Sequence, residues 1–255
     1  MGDGGRWAQL RGMSLFHSQM VEGSGFYNAE TVYKLKCNWH VNVVRACLGM
    51  MNYGNGGYLA HRELEKAKVK AVIDAAIKYD IYVVAIREND KDAVIICATP
   101  YYDQHISEAM KNPITNYYNI IEQGVENLRK NILYALELNF PLFSTEYGLT
   151  LGNGDGPVNA YETEKWWKML DQFGVPYINW SISNKRESSA ALIPGSTSRN
   201  VDDYHYLTES GKIVKDMLIN KQPKPYGCSK WEEIVDDLIS EIFPLNNVTD
   251  EQNFI

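Results

Sequence analysis

Residues 141–148 read Pro141-Leu-Phe-Ser-Thr-Glu-Tyr-Gly148. Three apolar residues lead through Ser144 and Thr145 to one carboxylate, Glu146, which is followed by an aromatic ring and a glycine. A parallel strand buried on both faces needs no polar alternation, so it reads as an apolar run. The charge enters where such a strand leaves the core, and the glycine lets the chain turn. This stretch therefore reads as a strand ending at a functional rim of an α/β fold. An ordinary strand with a solvated terminal Glu has the same letters, and the flanking sequence decides between the two.

On its N-terminal side a helix is expected over Val125–Leu138, with Leu128, Ile132, Leu133 and Leu136 at helical spacing. On its C-terminal side follow a loop (Leu151–Pro157), a helix (Glu162–Phe173), a strand (Tyr177–Ile182) and a closing helix (Thr208–Leu218) with Thr208 as N-cap. The start of the chain repeats the alternation. A strand is expected within 7–16, a helix over Tyr27–Asn38, and a β-rich run over Val41–Gly49. A second helix follows over Glu63–Lys78, with Leu64, Ala67, Val69, Val72, Ile73, Ala76 and Ile77 as its apolar stripe, and then a strand over Asp80–Val84. Strand–helix–strand alternation of this kind signals a parallel α/β architecture. Arg45 sits among Val43, Val44, Ala46 and Cys47; a buried arginine needs an anionic partner, and Glu146 is available. The Gly54–Gly57 loop is not a phosphate loop, because no Gly-Lys-Ser/Thr follows.

The alternation then breaks. Ala93–Cys97 reads as another strand, with only Ala85 to Asp92 between it and the previous one. Neighbouring parallel strands need a crossover of about a dozen or more residues, usually carrying a helix. Either these two strands pair antiparallel or a piece of a regular barrel is absent. Past this point a strand-to-helix loop at Thr99–Asp103 and a weak strand at Ile114–Ile121 lead back to the stretch quoted above.

Composition sets outer limits. The chain has 255 residues, 45% hydrophobic and 22% charged, with 17 tyrosines, six tryptophans and a net charge of -7. Surplus aromatics suit sites that stack on flat amphipathic ligands. The acidic balance argues against nucleic acid or an anionic membrane as partner and favours a neutral substrate. Cys37, Cys47, Cys97 and Cys228 show no zinc spacing, so no metal is expected; they allow three disulfide pairings or none, with Cys47 and Cys97 reading as buried thiols. No segment has the apolar length of a membrane span, and Met1–Trp7 lacks the apolar core of a signal peptide. Sequons at Asn179 and Asn247 are short enough to occur by chance.

Several blocks fall together in order: Leu10-Arg-Gly-Met-Ser-Leu-Phe16, Val43-Val-Arg-Ala46, Gly56-Gly-Tyr-Leu59, Thr99-Pro100, Leu142–Gly148 and Asn179-Trp-Ser-Ile-Ser-Asn-Lys-Arg-Glu-Ser-Ser-Ala-Ala-Leu192. From about Leu10 to Leu218 the chain resembles glycoside hydrolase family 5, and within it the bacterial-type and nematode β-1,4-endoglucanases. The resemblance implies an α/β fold, a (β/α)8 TIM barrel with its site at the C-terminal strand ends. It implies retaining cleavage of β-1,4-glucans with no cofactor. Residue by residue, it implies that Glu146 is the nucleophile and that Arg45 keeps that carboxylate ionised. Trp180 becomes a stacking platform, and Lys185, Glu187 and Tyr147 (where tryptophan is usual) become substrate contacts.

The departures concern the second catalytic group. Retaining hydrolysis uses two carboxyls about 5–5.5 Å apart. The family's acid/base lies in an Asn-Glu-Pro motif ending strand four, and no such tripeptide occurs in this sequence; the Asp-Trp-His motif after strand three is missing too. Ala85–Val94 resembles the end of helix four running into strand five. The barrel is thus expected to be incomplete, lacking roughly 50 residues, more than one average βα unit, with a gap between the Ile81–Val84 and Ala93–Cys97 strands. The histidine of strand six falls near Tyr117 or Tyr118, and His17 replaces a stacking aromatic. Glu88, Asp92, Asp103, Glu122 and Asp155 are the nearby acids, none in an acid/base motif.

The expected organisation is a catalytic-type domain over 1–220, a linker over 221–229 and an acidic amphipathic tail over 230–255. The expected function is a cellulase-family protein with hydrolysis lost or strongly reduced, or a non-catalytic β-glucan-binding remnant. A hydrolase with a repositioned acid is the third reading. The expected state is a monomer, and family members are normally secreted.

Overall fold

A computed structural model describes residues 9–50, 56–85 and 126–228 of the chain. Among these residues five strands form one sheet: β1 (Arg11–Leu15), β2 (Val43–Arg45), β3 (Tyr82–Val84), β4 (Ser144–Tyr147) and β5 (Tyr177–Ile182). Their order is β3-β2-β1-β5-β4, and every pairing is parallel. The last strand lies directly beside the first, as it does when a (β/α)8 sheet curls round on itself. The described strands are therefore an arc of a TIM barrel. The expected strands at Ala93–Cys97 and Ile114–Ile121, and the gap expected beside them, lie outside the described residues.

The described helices are α1 (Val21–Ser24), α2 (Ala29–Trp39), α3 (Gly57–Ala60), α4 (Arg62–Lys78), α5 (Glu126–Glu137), α6 (Ala160–Gln172) and α7 (Glu209–Lys221). Side chains set the starts of α2, α6 and α7. Asn28 accepts a hydrogen bond from the Thr31 amide at 2.9 Å, Asn159 from Glu162 at 3.1 Å, and Thr208 from Gly211 at 3.1 Å. Helix α2 stops at His40, whose left-handed backbone (φ 57°) turns the chain into β2.

Two elements differ from their sequence reading for physical reasons. The strand expected from Pro141 begins only at Ser144, whose amide donates to the Pro176 carbonyl at 2.9 Å; Pro141 has no amide hydrogen to give a ladder. In α4, Leu64 and Ile77 are 55% and 66% exposed, whereas Glu65 is buried with Val69, Val72, Ala75 and Ala76. Glu65 tolerates burial because the Ser18 hydroxyl and the Lys68 ammonium both bind its carboxylate.

The core contains Met13 and Leu15 of β1, Val43 and Val44 of β2, Tyr177 and Ile178 of β5, and Trp39 and Trp166 from the helix layer. Gly12 makes the β1–β2 approach possible: a Cβ there would stand 1.7 Å from the Val43 carbonyl oxygen. Among the described residues no helix is long and apolar enough to cross a membrane. The chain divides into a unit ending at Lys224 and a second from Pro225 to Ile255. Helix α7 runs to Lys221, so the expected linker starts inside a helix. Of the second unit only Pro225–Cys228 are described, with Tyr226 exposed; the expected tail over 230–255 lies outside the described residues. Cys37 is disulfide-bonded, and Cys47 is a free buried thiol.

Candidate active site

Parallel strands bring their C-terminal ends to one rim, and the expected site residues other than Tyr147 meet there. Ser14 of β1 is in register with Arg45 of β2 on one side and Trp180 of β5 on the other. The small serine between them leaves room for the long side chains, and the Arg45 guanidinium lies 5.8 Å from the Trp180 ring. The peptide joining Trp180 to Ser181 is cis.

Arg45 Nη1 donates to Glu146 Oε2 at 2.5 Å and reaches the Thr145 carbonyl at 3.4 Å. The side chains are 22% and 21% exposed. Burial opposes the charge on Arg45, but Cys47 and Glu146 favour it more strongly and hold the guanidinium above its ordinary value. Among the described residues Glu146 Oε1 carries no hydrogen bond, so one carboxylate oxygen is fixed and the other is unengaged.

A cavity of about 300 Å³ opens above this pair, lined by Phe16, His17, Glu146, Trp180, Lys185 and Glu187 among others. Phe16 and His17 pack against Trp180 with ring centroids 5.2 and 5.1 Å away. The Lys185 ammonium lies 5.4 Å from the Phe16 ring and forms an ion pair with Glu187. The Glu187 side chain is only 3% exposed, and its other oxygen accepts from Ser189 at 3.2 Å. Both its oxygens are thus committed within the protein. The loop at Leu151–Gly154 completes the wall, joined to the β5 side by the Ser189 amide donating to the Gly154 carbonyl at 2.9 Å.

Tyr147 is the expected site residue that the structure removes from the cavity. It is 1% exposed, its hydroxyl accepts from Trp167 Nε1 at 2.7 Å, and Asn179 donates to its carbonyl at 3.1 Å. Side chains alternate along a strand. Glu146 faces the cavity, so its neighbour Tyr147 faces the layer between sheet and helices. Burial pushes the phenol well above its usual range. The structure also brings together a pair that the spacing did not reveal: Cys47 Sγ lies 3.2 Å from His17 Nδ1. Of the acids named above, Asp155 is exposed on the loop, and Glu88, Asp92, Asp103 and Glu122 lie outside the described residues, as do Tyr117 and Tyr118.

A cellulase family model, glycosyl hydrolase family 5, matches residues 1–85 and 83–186. Endoglucanase Z of Dickeya dadantii is 30% identical over 281 aligned positions, which take in 84% of this chain and 63% of that protein. The alignment is longer than the whole of this chain, so the relative carries positions with no counterpart here. The chain spans less than two thirds of the length of such curated relatives. Among solved structures, one from Cytophaga hutchinsonii superposes with a TM-score of 0.79 at 27% identity, covering 93% of this chain and 94% of that one. The catalytic domain of Thermobifida fusca endoglucanase Cel5A, solved in complex with cellotetraose, has a TM-score of 0.68 at 18% identity, covering 83% and 92%. The first is similar to this chain in sequence and shape, the second in fold alone. With the family model matched over most of its length, the chain belongs to glycosyl hydrolase family 5, the cellulase family.

Proposed function

We propose that this chain holds a β-1,4-glucan and presents a nucleophile to it, but hydrolyses it slowly or not at all because the acid/base glutamate is missing. The observation that carries this reading is the Arg45–Glu146 ion pair beneath a cavity walled by Trp180, in a sequence without an Asn-Glu-Pro motif. The family model matches in two stretches that meet at residues 83–85, the point where the sequence skips from strand three. That agrees with an internal loss of the acid/base segment.

In this reading Trp180 stacks on a glucose ring, while Lys185 and, through it, Glu187 meet the hydroxyls of the next sugar on the non-reducing side. Arg45 holds Oε2, which aims Oε1 at the anomeric carbon. Attack forms an Oε1–C1 bond and breaks the glycosidic C1–O bond. The leaving oxygen of a glucan is a poor leaving group and must take a proton as it departs. General acid help of that kind is worth roughly 10²–10⁴-fold. Glu187, with both oxygens engaged by Lys185 and Ser189, is poorly set to supply it.

The second reading, a β-glucan-binding protein without chemistry, rests on the aromatic cluster of Phe16, His17 and Trp180, which requires no acid. A neutral polymer suits the net charge of -7 better than nucleic acid or an anionic membrane, and the protein acts as a monomer. Cellulose pull-down and carboxymethylcellulose hydrolysis, run in parallel, separate the readings. Binding that Trp180→Ala abolishes, with no measurable hydrolysis, is the expected pattern. Clear hydrolysis abolished by Glu146→Gln would overturn it and establish a repositioned acid.

A further inference from the structure

His17 and Cys47 follow two different strands, β1 and β2, and are in contact, His17 lining the cavity and Cys47 buried. The His17 ring is fixed on one side by Phe16 and Trp180, at centroid distances of 5.3 and 5.1 Å with edge-on geometry. Its Nδ1 faces Cys47 Sγ at 3.2 Å. The other nitrogen, Nε2, has no hydrogen-bond partner among the described residues, and the ring lines the cavity. Beneath the pair, the Tyr27 hydroxyl stands 2.7 Å from the Phe16 carbonyl and 2.8 Å from the Cys47 carbonyl, so the backbones of both loops are pinned.

The surroundings keep both groups neutral. Burial lowers the His17 pKa, Glu146 on β4 opposes this, and Arg45 on β2 and Lys185 after β5 add to it. Burial raises the Cys47 thiol, with Arg45 opposing and Glu146 adding. A neutral imidazole has one donor and one acceptor nitrogen, whereas thiol sulfur accepts only weakly. The stronger arrangement has S–H donating to Nδ1, which puts the ring proton on Nε2.

We propose that His17 is a specificity-determining hydrogen-bond donor of this cavity, its Nε2–H binding a sugar hydroxyl, and that Cys47 is the positioning residue that fixes its ring and tautomer. The proposal rests on the β-1,4-glucan reading and sharpens it. A bare aromatic at this place would bind the flat face of a sugar, which all β-linked hexoses share. A donor reads a hydroxyl at the ring edge, where hexoses differ.

Calorimetric titration with cellotetraose, together with 15N NMR of the imidazole in the free protein, tests the proposal. The NMR spectrum should show Nε2 protonated and Nδ1 bare. Affinity should fall about tenfold in His17→Ala and about threefold in Cys47→Ala, while Cys47→Ser, which keeps a donor, stays within about twofold. Cys47→Ala should also mix the two tautomers, an effect that simple loss of packing would not produce. Wild-type binding that His17→Ala leaves unchanged overturns the proposal and spares the glucan reading. So does a proton found on Nδ1, a measurement that needs no variant to fold. Failure of the wild type to bind cellotetraose overturns the glucan reading, and the proposal with it.

Discussion

Arg45 Nη1 lies 2.5 Å from Glu146 Oε2, joining the ends of two strands, β2 and β4, that are not neighbours in the sheet. The contact is charged and less than a quarter exposed on either side, where a charge-assisted hydrogen bond is strong and directional. Arg45→Met keeps much of the volume and removes the bond. Attack by Glu146 on an activated substrate should then slow by roughly 10–100-fold, the kinetic equivalent of one such bond. Pre-steady-state release of dinitrophenol measures it, and an unchanged rate would mean that Arg45 serves only the fold.

If the missing group is the proton donor, a substrate that needs no proton should react. A 2,4-dinitrophenyl β-cellobioside expels a stable phenolate with its electron pair when Glu146 attacks C1. The expected result is stoichiometric release of dinitrophenolate and slow turnover, because no base activates water in the second step. Azide, a nucleophile that needs no base, should speed turnover and yield β-cellobiosyl azide. Glu146→Gln should abolish all of this. Absence of the initial release in the wild type would remove Glu146 from the chemistry.

Elements with strong local signals were legible in the sequence. The β5 run gathers Tyr177, Ile178, Trp180 and Ile182 closely, and its bounds, Tyr177–Ile182, match those read from sequence; the Thr208 cap of α7 was equally plain. The Arg45–Glu146 contact followed from one rule, that an arginine amid apolar neighbours needs an anion. What escaped depends on contacts between distant loops. Glu65 is buried because Ser18, 47 residues away, binds it; that contact sets the face of α4 against its own apolar pattern. The His17–Cys47 contact spans 30 residues and joins two βα loops. Neither residue type at that spacing announces a partnership.

Tyr147 illustrates how one step along a strand changes a role. Its hydroxyl is the acceptor for the Trp167 indole N–H at 2.7 Å, within the core. Tyr147→Phe leaves that buried donor unpaired and should cost about 1–3 kcal/mol. Cellotetraose affinity should stay within about twofold of wild type, since the ring never reaches the cavity. Urea unfolding and calorimetry on the same variant check both halves. A large loss of affinity with normal stability would return Tyr147 to the binding surface.

Gly12→Ala tests the packing of β1 on β2. The added methyl would meet the Val43 carbonyl oxygen at 1.7 Å, a backbone atom that no rotamer change can move. Relief requires parting two paired strands in the centre of the described sheet. A loss of at least ~3 kcal/mol is expected, at the upper end of overpacking costs. Far-UV circular dichroism during chemical denaturation reads it directly, and a variant within ~1 kcal/mol of wild type would show that the sheet opens more easily than its register implies.

Asp171 of α6 ties three elements together at the opposite end of the strands from the cavity. Its Oδ1 accepts from Arg11 of β1 at 2.9 Å and from the Tyr177 hydroxyl of β5 at 3.0 Å, and its Oδ2 from Lys221 of α7. Burial would raise this carboxyl, but the bonds from Lys221 and Arg11 outweigh it and hold the pKa below its ordinary value. A group whose folded pKa is depressed adds stability above its unfolded pKa, near 3.9 for an aspartate. That contribution is lost as the pH falls through the folded value. Asp171→Asn should therefore cost about 2 kcal/mol at neutral pH, less than the ~3–5 of a fully buried pair because the partners are partly solvated. The difference between wild type and variant should shrink as the pH falls below the unfolded pKa and through the lower folded one. Urea midpoints measured across the acid range give the answer: a difference that stays constant with pH would assign the loss to geometry rather than to charge.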